Sequence, residues 1–364
     1  MRIRSAVAVA MAVGCAHQEP LAHHEPRADT PFTASQPIRL TYNIATDASP
    51  AWSFDGRRLY YSAHDSARSD HDACIVTMPS TGGTRTAVQC PALGVNDTSE
   101  LLERPAPGPD LLAWSRSELG VVEHSSPRHS ILAAVPVPDA PVRLLLRFPY
   151  ATTAGHPHDM PLFLQWLRPG VLLYLGASFG TSFPDTVWLG DQVTLLNLTA
   201  PVPTLDFVAG TSGASAVSAS PDGTSIYYTI TGDTRVLRQD LSTGLETLVH
   251  DFGAAGIARD PSVVGQRLAA IVGGQPGLRD FPLQGLGQVD RGGHLVLVDL
   301  QNGAETVVPD GDRLYRRPAL SPDGSRMVAE GFPYVVTPIL DSSGAVVGAD
   351  TVTSRRADLW LFEE

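Results

Sequence analysis

Ser49-Pro50-Ala51-Trp52-Ser53-Phe54-Asp55-Gly56-Arg57-Arg58-Leu59-Tyr60-Tyr61-Ser62 reads as a short strand, an Asp-Gly turn and a second strand. The pattern returns as Ser218-Ala219-Ser220-Pro221-Asp222-Gly223-Thr224-Ser225-Ile226-Tyr227-Tyr228-Thr229. It returns again as Pro318-Ala319-Leu320-Ser321-Pro322-Asp323-Gly324-Ser325-Arg326-Met327-Val328-Ala329. Three copies of one hairpin identify a repeat protein, and the architecture follows from the repeat.

Weaker copies lie in the gaps. Pro105 to Ser115 keeps the Pro, the turn and the apolar strand, Gln165 to Leu175 keeps an aromatic and a Pro-Gly turn, and Asp260 to Ile271 keeps the Pro and a Gly turn. Six units therefore begin near residues 49, 104, 160, 215, 259 and 316. Each continues into an outer hairpin, as in Val236 to Val249 and His294 to Val308, which share an Asp-Leu-x-x-Gly turn. Six units of four strands predict an all-β fold, a six-bladed β-propeller of four-stranded blades. A seventh blade fits only if the tail after Gly331 hides another unit. The last unit falls one strand short, and Pro37 to Ile44 precedes the first without a blade of its own. This N-terminal strand is expected to join the last blade and close the ring, removing open sheet edges. Residues 37–364 are thus read as one propeller domain.

Trp52-Ser53-Phe54-Asp55-Gly56, Ser220-Pro221-Asp222-Gly223 and Ser321-Pro322-Asp323-Gly324 resemble the W-S-P-D-G repeat of the TolB-like, or WD40-like (PD40), propellers. The resemblance covers residues 38 to 364 and is strongest in the first, fourth and sixth units. TolB itself also carries an N-terminal α/β domain, for which this sequence has no counterpart.

Composition narrows the function classes. Of 364 residues only 18% are charged, with 33 Gly and 30 Pro, a profile of short strands and turns rather than long helices. A net charge of −12 argues against a nucleic-acid partner. All 26 basic residues are Arg, so Schiff-base and lysine general-base chemistry are excluded.

Met1-Arg2-Ile3-Arg4 and the apolar run Ala6 to Val13 read as an export signal over residues 1–14. The run ends in Ala12-Val13-Gly14-Cys15, which resembles a bacterial lipobox with Cys15 as the lipidated residue; an ordinary signal peptide with a chance Cys is the alternative. Residues 15–36 read as a tether. An exported, lipid-anchored protein of the periplasm or outer membrane is expected, touching the membrane through its anchor only. Cys74 and Cys90 each lie eight residues from Gly82, so a symmetric hairpin sets them opposite each other. A disulfide fits an oxidising compartment; two free buried thiols are the alternative.

Topology locates a candidate site. The Asp-Gly turns share one plain face of the fold. The long insertions, Ala63 to Ala73, Arg116 to His129, Gly273 to Gly293 and Gly331 to Ala357, share the other. His156, His158 and Asp159 lie on that face, as do His64-Asp65 and Asp70-His71-Asp72. Arg104, Asp260 and Arg317 each flank a Pro that opens an inner strand, so they should ring the channel mouth. Inter-blade ion pairing and ligand recognition both fit that ring. His156, His158 and Asp159 are weak candidates for a divalent metal, with spacing unlike any standard ligand set. No cofactor is otherwise implied, and no catalytic residue is assigned: there is no Gly-x-Ser-x-Gly elbow, and His124, His129 and His250 are scattered. Trp52, Trp114, Trp166 and Trp188 are expected to pack between blades. The sequence favours a non-catalytic, monomeric binding scaffold for an envelope protein, peptide or glycan. The rival is a carbohydrate-active enzyme, a lyase or glycosidase, using His156, His158, Asp159 or Asp260 at the channel mouth.

Overall fold

The computed structural model describes residues 37–42, 45–64, 73–91, 99–119, 128–148, 160–182, 185–273, 293–309, 313–353 and 357–363. Those residues are almost wholly β. The strands are β1 (Ile38–Arg39), β2 (Asp47–Trp52), β3 (Arg58–His64), β4 (Ala73–Pro79) and β5 (Thr86–Gln89). Next come β6 (Ser99–Pro107), β7 (Leu112–Leu119), β8 (Arg128–Ala134) and β9 (Arg143–Arg147). They are followed by β10 (Met160–Arg168), β11 (Val171–Ser182), β12 (Asp185–Asn197) and β13 (Thr204–Phe207). Then come β14 (Ala214–Ala219), β15 (Ser225–Ile230), β16 (Arg235–Asp240) and β17 (Glu246–Asp251). β18 (Ala258–Val264), β19 (Arg267–Val272), β20 (His294–Asp299) and β21 (Ala304–Val307) form the next group. The last is β22 (Arg313–Leu320), β23 (Arg326–Leu340), β24 (Val346–Thr353) and β25 (Asp358–Glu363).

The serine and aspartate of the repeat build its turn. Ser53 Oγ donates to Asp55 Oδ1 at 2.6 Å and accepts from the Arg58 N–H at 2.9 Å. Ser220 with Asp222, and Ser321 with Asp323, repeat the first contact at 2.6 Å. Gly56, Gly223 and Gly324 close the turns at φ of 68°, 66° and 72°, a region that suits glycine. The motif is therefore a turn-forming device at the inner hairpin.

The strands assemble into a propeller-like arrangement of four-stranded sheets. β10–β13, β14–β17 and β18–β21 are sheets of four strands in chain order. Hydrogen bonding does not divide the rest into the separate four-stranded sheets expected. β2–β5 and β6–β9 merge into one eight-stranded sheet through a single parallel pair, Ala73↔Leu101. The final sheet has five strands, in the order β1-β25-β23-β22 with β24 on β23. Five sheets result, not six, because β4 starts where it meets the innermost strand of the neighbouring group. β1 pairs with β25 through Ile38↔Leu361 and Arg39↔Trp360. The first strands lie side by side: β2 against β6, then β10, β14, β18 and β22, with β22 also against β2.

Apolar clusters fill the spaces between groups. One joins Leu162, Leu173 and Val193 to Val217 and Tyr228. Another joins Val328 and Leu361 to Trp52, Leu59 and Tyr61, bringing the last group against the first. Trp52 and Trp114 are both buried.

Two features differ from expectation. Gly331 to Ala357 is no irregular loop: β23 runs on to Leu340 and pairs with β24 from Tyr334↔Thr353 to Leu340↔Val346. β-Branched residues flank a turn in which Asp341 Oδ1 accepts the Ser343 N–H at 2.8 Å and the Ala345 N–H at 3.0 Å. A second ribbon, which the sequence reading did not anticipate, is made where β11 and β12 stay paired out to Ser182↔Asp185.

Cys74 and Cys90 form a disulfide, with Cα atoms 4.3 Å apart. Their pairing depends on a bulge. β4 and β5 pair as Thr77↔Thr86 and Val76↔Ala87, then as Ile75↔Gln89, so Val88 is the extra residue. Val88 turns into the core, and the one-residue shift brings Cys90 opposite Cys74.

Replacing both Cys74 and Cys90 by Ser should lower unfolding stability by about 3 kcal/mol in urea, the loop-entropy value for this ring size. Free thiols in the untreated protein would contradict the bridge. The turns also predict acid sensitivity. The Ser321 hydroxyl and the Ser325 N–H hold the Asp323 carboxyl at about 2, below its ordinary 3.8. Asp55 and Asp222 are lowered the same way, by Ser53 and Ser220 first. A folded-state value below the unfolded one gives stability that is present above 3.8 and lost as pH falls towards about 2. Asp323→Asn should cost stability at pH 6, and the gap to wild type should narrow on acidification; a constant gap would count against the turn chemistry.

Candidate functional site

Each innermost strand breaks its pairing at the same place. The register shifts fall between Ala48 and Ala51, Glu103 and Ala106, Leu162 and Gln165, Ala214 and Ala216, Arg259 and Ser262, and Arg316 and Ala319. At five of these bulges a residue other than glycine has a left-handed backbone: Ser49 (φ 54°), Arg104 (54°), Phe163 (50°), Asp260 (49°) and Arg317 (49°). Proline follows four of the five. It brings no N–H to the ladder and bars its predecessor from the right-handed helical region, so the strand bulges there. A left-handed backbone at such residues is strained, and strain of this kind collects where surrounding structure must hold it.

The structure therefore places Arg104, Asp260 and Arg317 at equivalent positions on three inner strands. All three are largely buried, and each is engaged within the protein. Asp260 Oδ2 accepts the Arg317 backbone N–H at 2.9 Å, linking β18 to β22. The Arg317 guanidinium donates to Ser49 Oγ at 2.9 Å and to Glu330 Oε1 at 3.3 Å. Glu330 Oε1 also accepts the Ser49 N–H at 2.5 Å, while Glu330 Oε2 takes the Arg316 Nε–H. Arg104 pairs with its own neighbour, Glu103, at 2.9 Å and reaches Ser115 Oγ at 3.5 Å. Two carboxylates from neighbouring groups thus satisfy N–H groups that the bulges free from the ladder.

Sequence reasoning missed Glu330 and Ser49. Glu330 has no exposed surface, yet it sits in the apolar run Met327-Val328-Ala329. A charge directly following an apolar run within a strand was the available signal, and Ser49 occupied the position already marked by Arg104 and Arg317.

His156, His158 and Asp159 lie outside the described residues, as do Cys15, Asp65, Asp70, His71, Asp72 and His124. Among the described residues, no three His, Cys, Asp or Glu side chains gather as a metal would require. His129 is buried with Nδ1 2.9 Å from Ser117 Oγ, and His250 Nε2 lies 2.8 Å from Glu305 Oε1.

The sequence matches no protein-family model, and no curated protein is significantly similar to it. Solved structures show the fold. The crystal structure of TolB from Acinetobacter baumannii superimposes with a TM-score of 0.51 at 14% identity, covering 84% of this chain and 66% of that one. The chain thus spans about two thirds of that protein's length. A luciferin-regenerating enzyme superimposes with a TM-score of 0.50 at 14% identity, covering 90% of this chain and 95% of that one. At such identity the likeness establishes a propeller fold and nothing about activity.

Glu330→Gln should lower unfolding stability by roughly 3–5 kcal/mol, because it removes a fully buried charge that both the Arg316 and the Arg317 guanidinium contact. Urea denaturation measures it; a loss below about 1 kcal/mol would mean that solvent already screens the cluster.

Proposed function

We propose that the strand groups form a closed six-bladed propeller over residues 37–364, acting as a binding scaffold in the cell envelope. In this reading residues 1–14 direct export, Cys15 carries a lipid, and residues 15–36 tether the domain to the membrane. The eight-stranded sheet counts as two blades, since a single residue pair joins its halves. The β1–β25 pairing acts as the seam. The disulfide between Cys74 and Cys90 fits an oxidising compartment.

The observation that carries the scaffold reading is how the inner charges are used. Asp260, Arg317 and Glu330 bond to one another across neighbouring groups, stiffening a frame from which the β11–β12 and β23–β24 ribbons project. Rigid frames with projecting loops are usual binding platforms. An envelope protein, a peptide or a glycan would be held at the ribbon end, and His156, His158, Asp159 and Arg104 remain the candidate ligand contacts. The enzyme reading draws on a fold neighbour that is an enzyme. Asp260, one of the four residues that reading could use, already accepts the Arg317 N–H, which favours the scaffold.

Palmitate labelling tests the anchor: wild type should take up label and fractionate with membranes, and Cys15→Ser should do neither. Label retained in Cys15→Ser, or a wild type wholly in the soluble fraction, would overturn anchoring. Crosslinking in intact cells tests the scaffold: a partner caught by wild type should be lost when a Gly-Gly link replaces residues 334–353. Equal capture by both would move the binding surface away from the ribbon.

A further inference from the structure

The turn end of the fold, which the sequence suggested was plain, carries a cleft. It lies between β18–β21 and the sheet of β22, β23 and β25, and its volume is about 510 Å³. Small-ligand sites occupy roughly 300–1,000 Å³. Leu268, Leu320, Met327 and Phe362 form its buried apolar floor.

The chain enters the described structure beside that floor. β1 keeps one register on β25 through Ile38↔Leu361, Arg39↔Trp360 and the bond from the Leu40 N–H to the Leu359 carbonyl. One step back, the same register sets Pro37 opposite Phe362. Ile38 and Leu361 pack into the junction between the last group and the first. Pro37 and Phe362, next along their strands, therefore turn to the other face, which borders β18–β21. Phe362 pairs in turn with Met327, and Met327 with Leu320. Pro37, Phe362, Met327 and Leu320 thus form one cross-strand row along the cleft. Three strand spacings of about 4.8 Å make the row about 14 Å long. Upstream, Thr30-Pro31-Phe32-Thr33-Ala34-Ser35-Gln36 carries no charge, and Phe32 is the only large apolar residue between Leu21 and Ile38. Phe32 stands five residues before Pro37, a reach of at most about 17 Å, which spans the row.

We propose that the occupant of this cleft is the chain's own segment 32–36, folded back along the row as a strap with the Phe32 ring seated against Met327 and Leu320. Burial of that ring supplies the driving force. The strap depends on neither the anchor nor the ribbon end. Its consequence, if residues 1–15 do hold a membrane, is orientation: the tether shortens to residues 15–31, the turn end faces the bilayer, and the two ribbons point away from it.

Chymotrypsin, which cuts after large apolar residues, tests the strap in the full chain, with fragments that begin at Thr33 followed by mass spectrometry. The bond after Phe32 should be cut slowly in wild type and roughly tenfold faster in Leu320→Trp, whose indole takes the space of the ring. Trp52 is the precedent for that variant: it is buried on β2 and pairs with Leu59 before its turn, as Leu320 pairs with Met327 before its own. If Leu320→Trp does not fold, methyl NMR of methionine decides. Phe32→Ala should move the Met327 signal and leave that of Met78, in the other junction, where it was. Equal cutting of wild type and folded Leu320→Trp, or a Met327 signal that ignores Phe32→Ala, would overturn the proposal. Protection of Phe32 that fades on dilution would mean that a second copy supplies the segment, and would overturn the strap as well.

Discussion

A carboxylate with no exposed surface holds the first and last strand groups together. Glu330 meets a backbone N–H from β2, a guanidinium from Arg316 beside it, and a second from Arg317 at the bulge. Each innermost strand must bulge where proline or its equivalent interrupts the ladder, and each bulge leaves backbone groups that need partners. If those partners came only from within a group, the bonds that Asp260 and Glu330 make to the neighbouring group would be lost. Carboxylates borrowed from the neighbour fix the rotation of one group on the next. The packing of Val328 and Leu361 on Trp52 and Tyr61 then follows from that alignment.

The turn motif contributes at the other end of the same strands. Its serine and aspartate satisfy the turn internally, and its glycine carbonyl is left for the neighbour. Arg326 takes the carbonyl of Gly56, and Arg267 takes that of Gly324. At Gly223 glycine is required for a second reason: a Cβ there would lie 2.2 Å from the Leu167 carbonyl oxygen. Turn and bulge therefore act as two sets of clasps, one at each end of the inner strands.

Local features were legible in the sequence, and features made by juxtaposition were not. The Ser-x-Asp-Gly hairpins, the pairing of Cys74 with Cys90 and the equivalent positions of Arg104, Asp260 and Arg317 on their inner strands rest on spacing within one hairpin or one strand. Glu330 and Ser49 could not be read as partners, since 281 positions separate them in the chain. The merging of the first eight sheet strands depends on one contact, Ala73 with Leu101, which no pattern announces. The β23–β24 ribbon was read as a loop because its apolar residues do not alternate cleanly.

The pairing of β1 with β25 has a kinetic consequence. Arg39 and Asp358, bonded at 2.5 Å, stand 319 residues apart. Loop closure over that distance costs only about 5 kcal/mol, because the cost grows with the logarithm of length. The delay is larger than the cost: β1 has no partner until nearly all of the domain has been synthesised. Contacts so remote in sequence slow folding, so the β1–β25 pair is among the last to form.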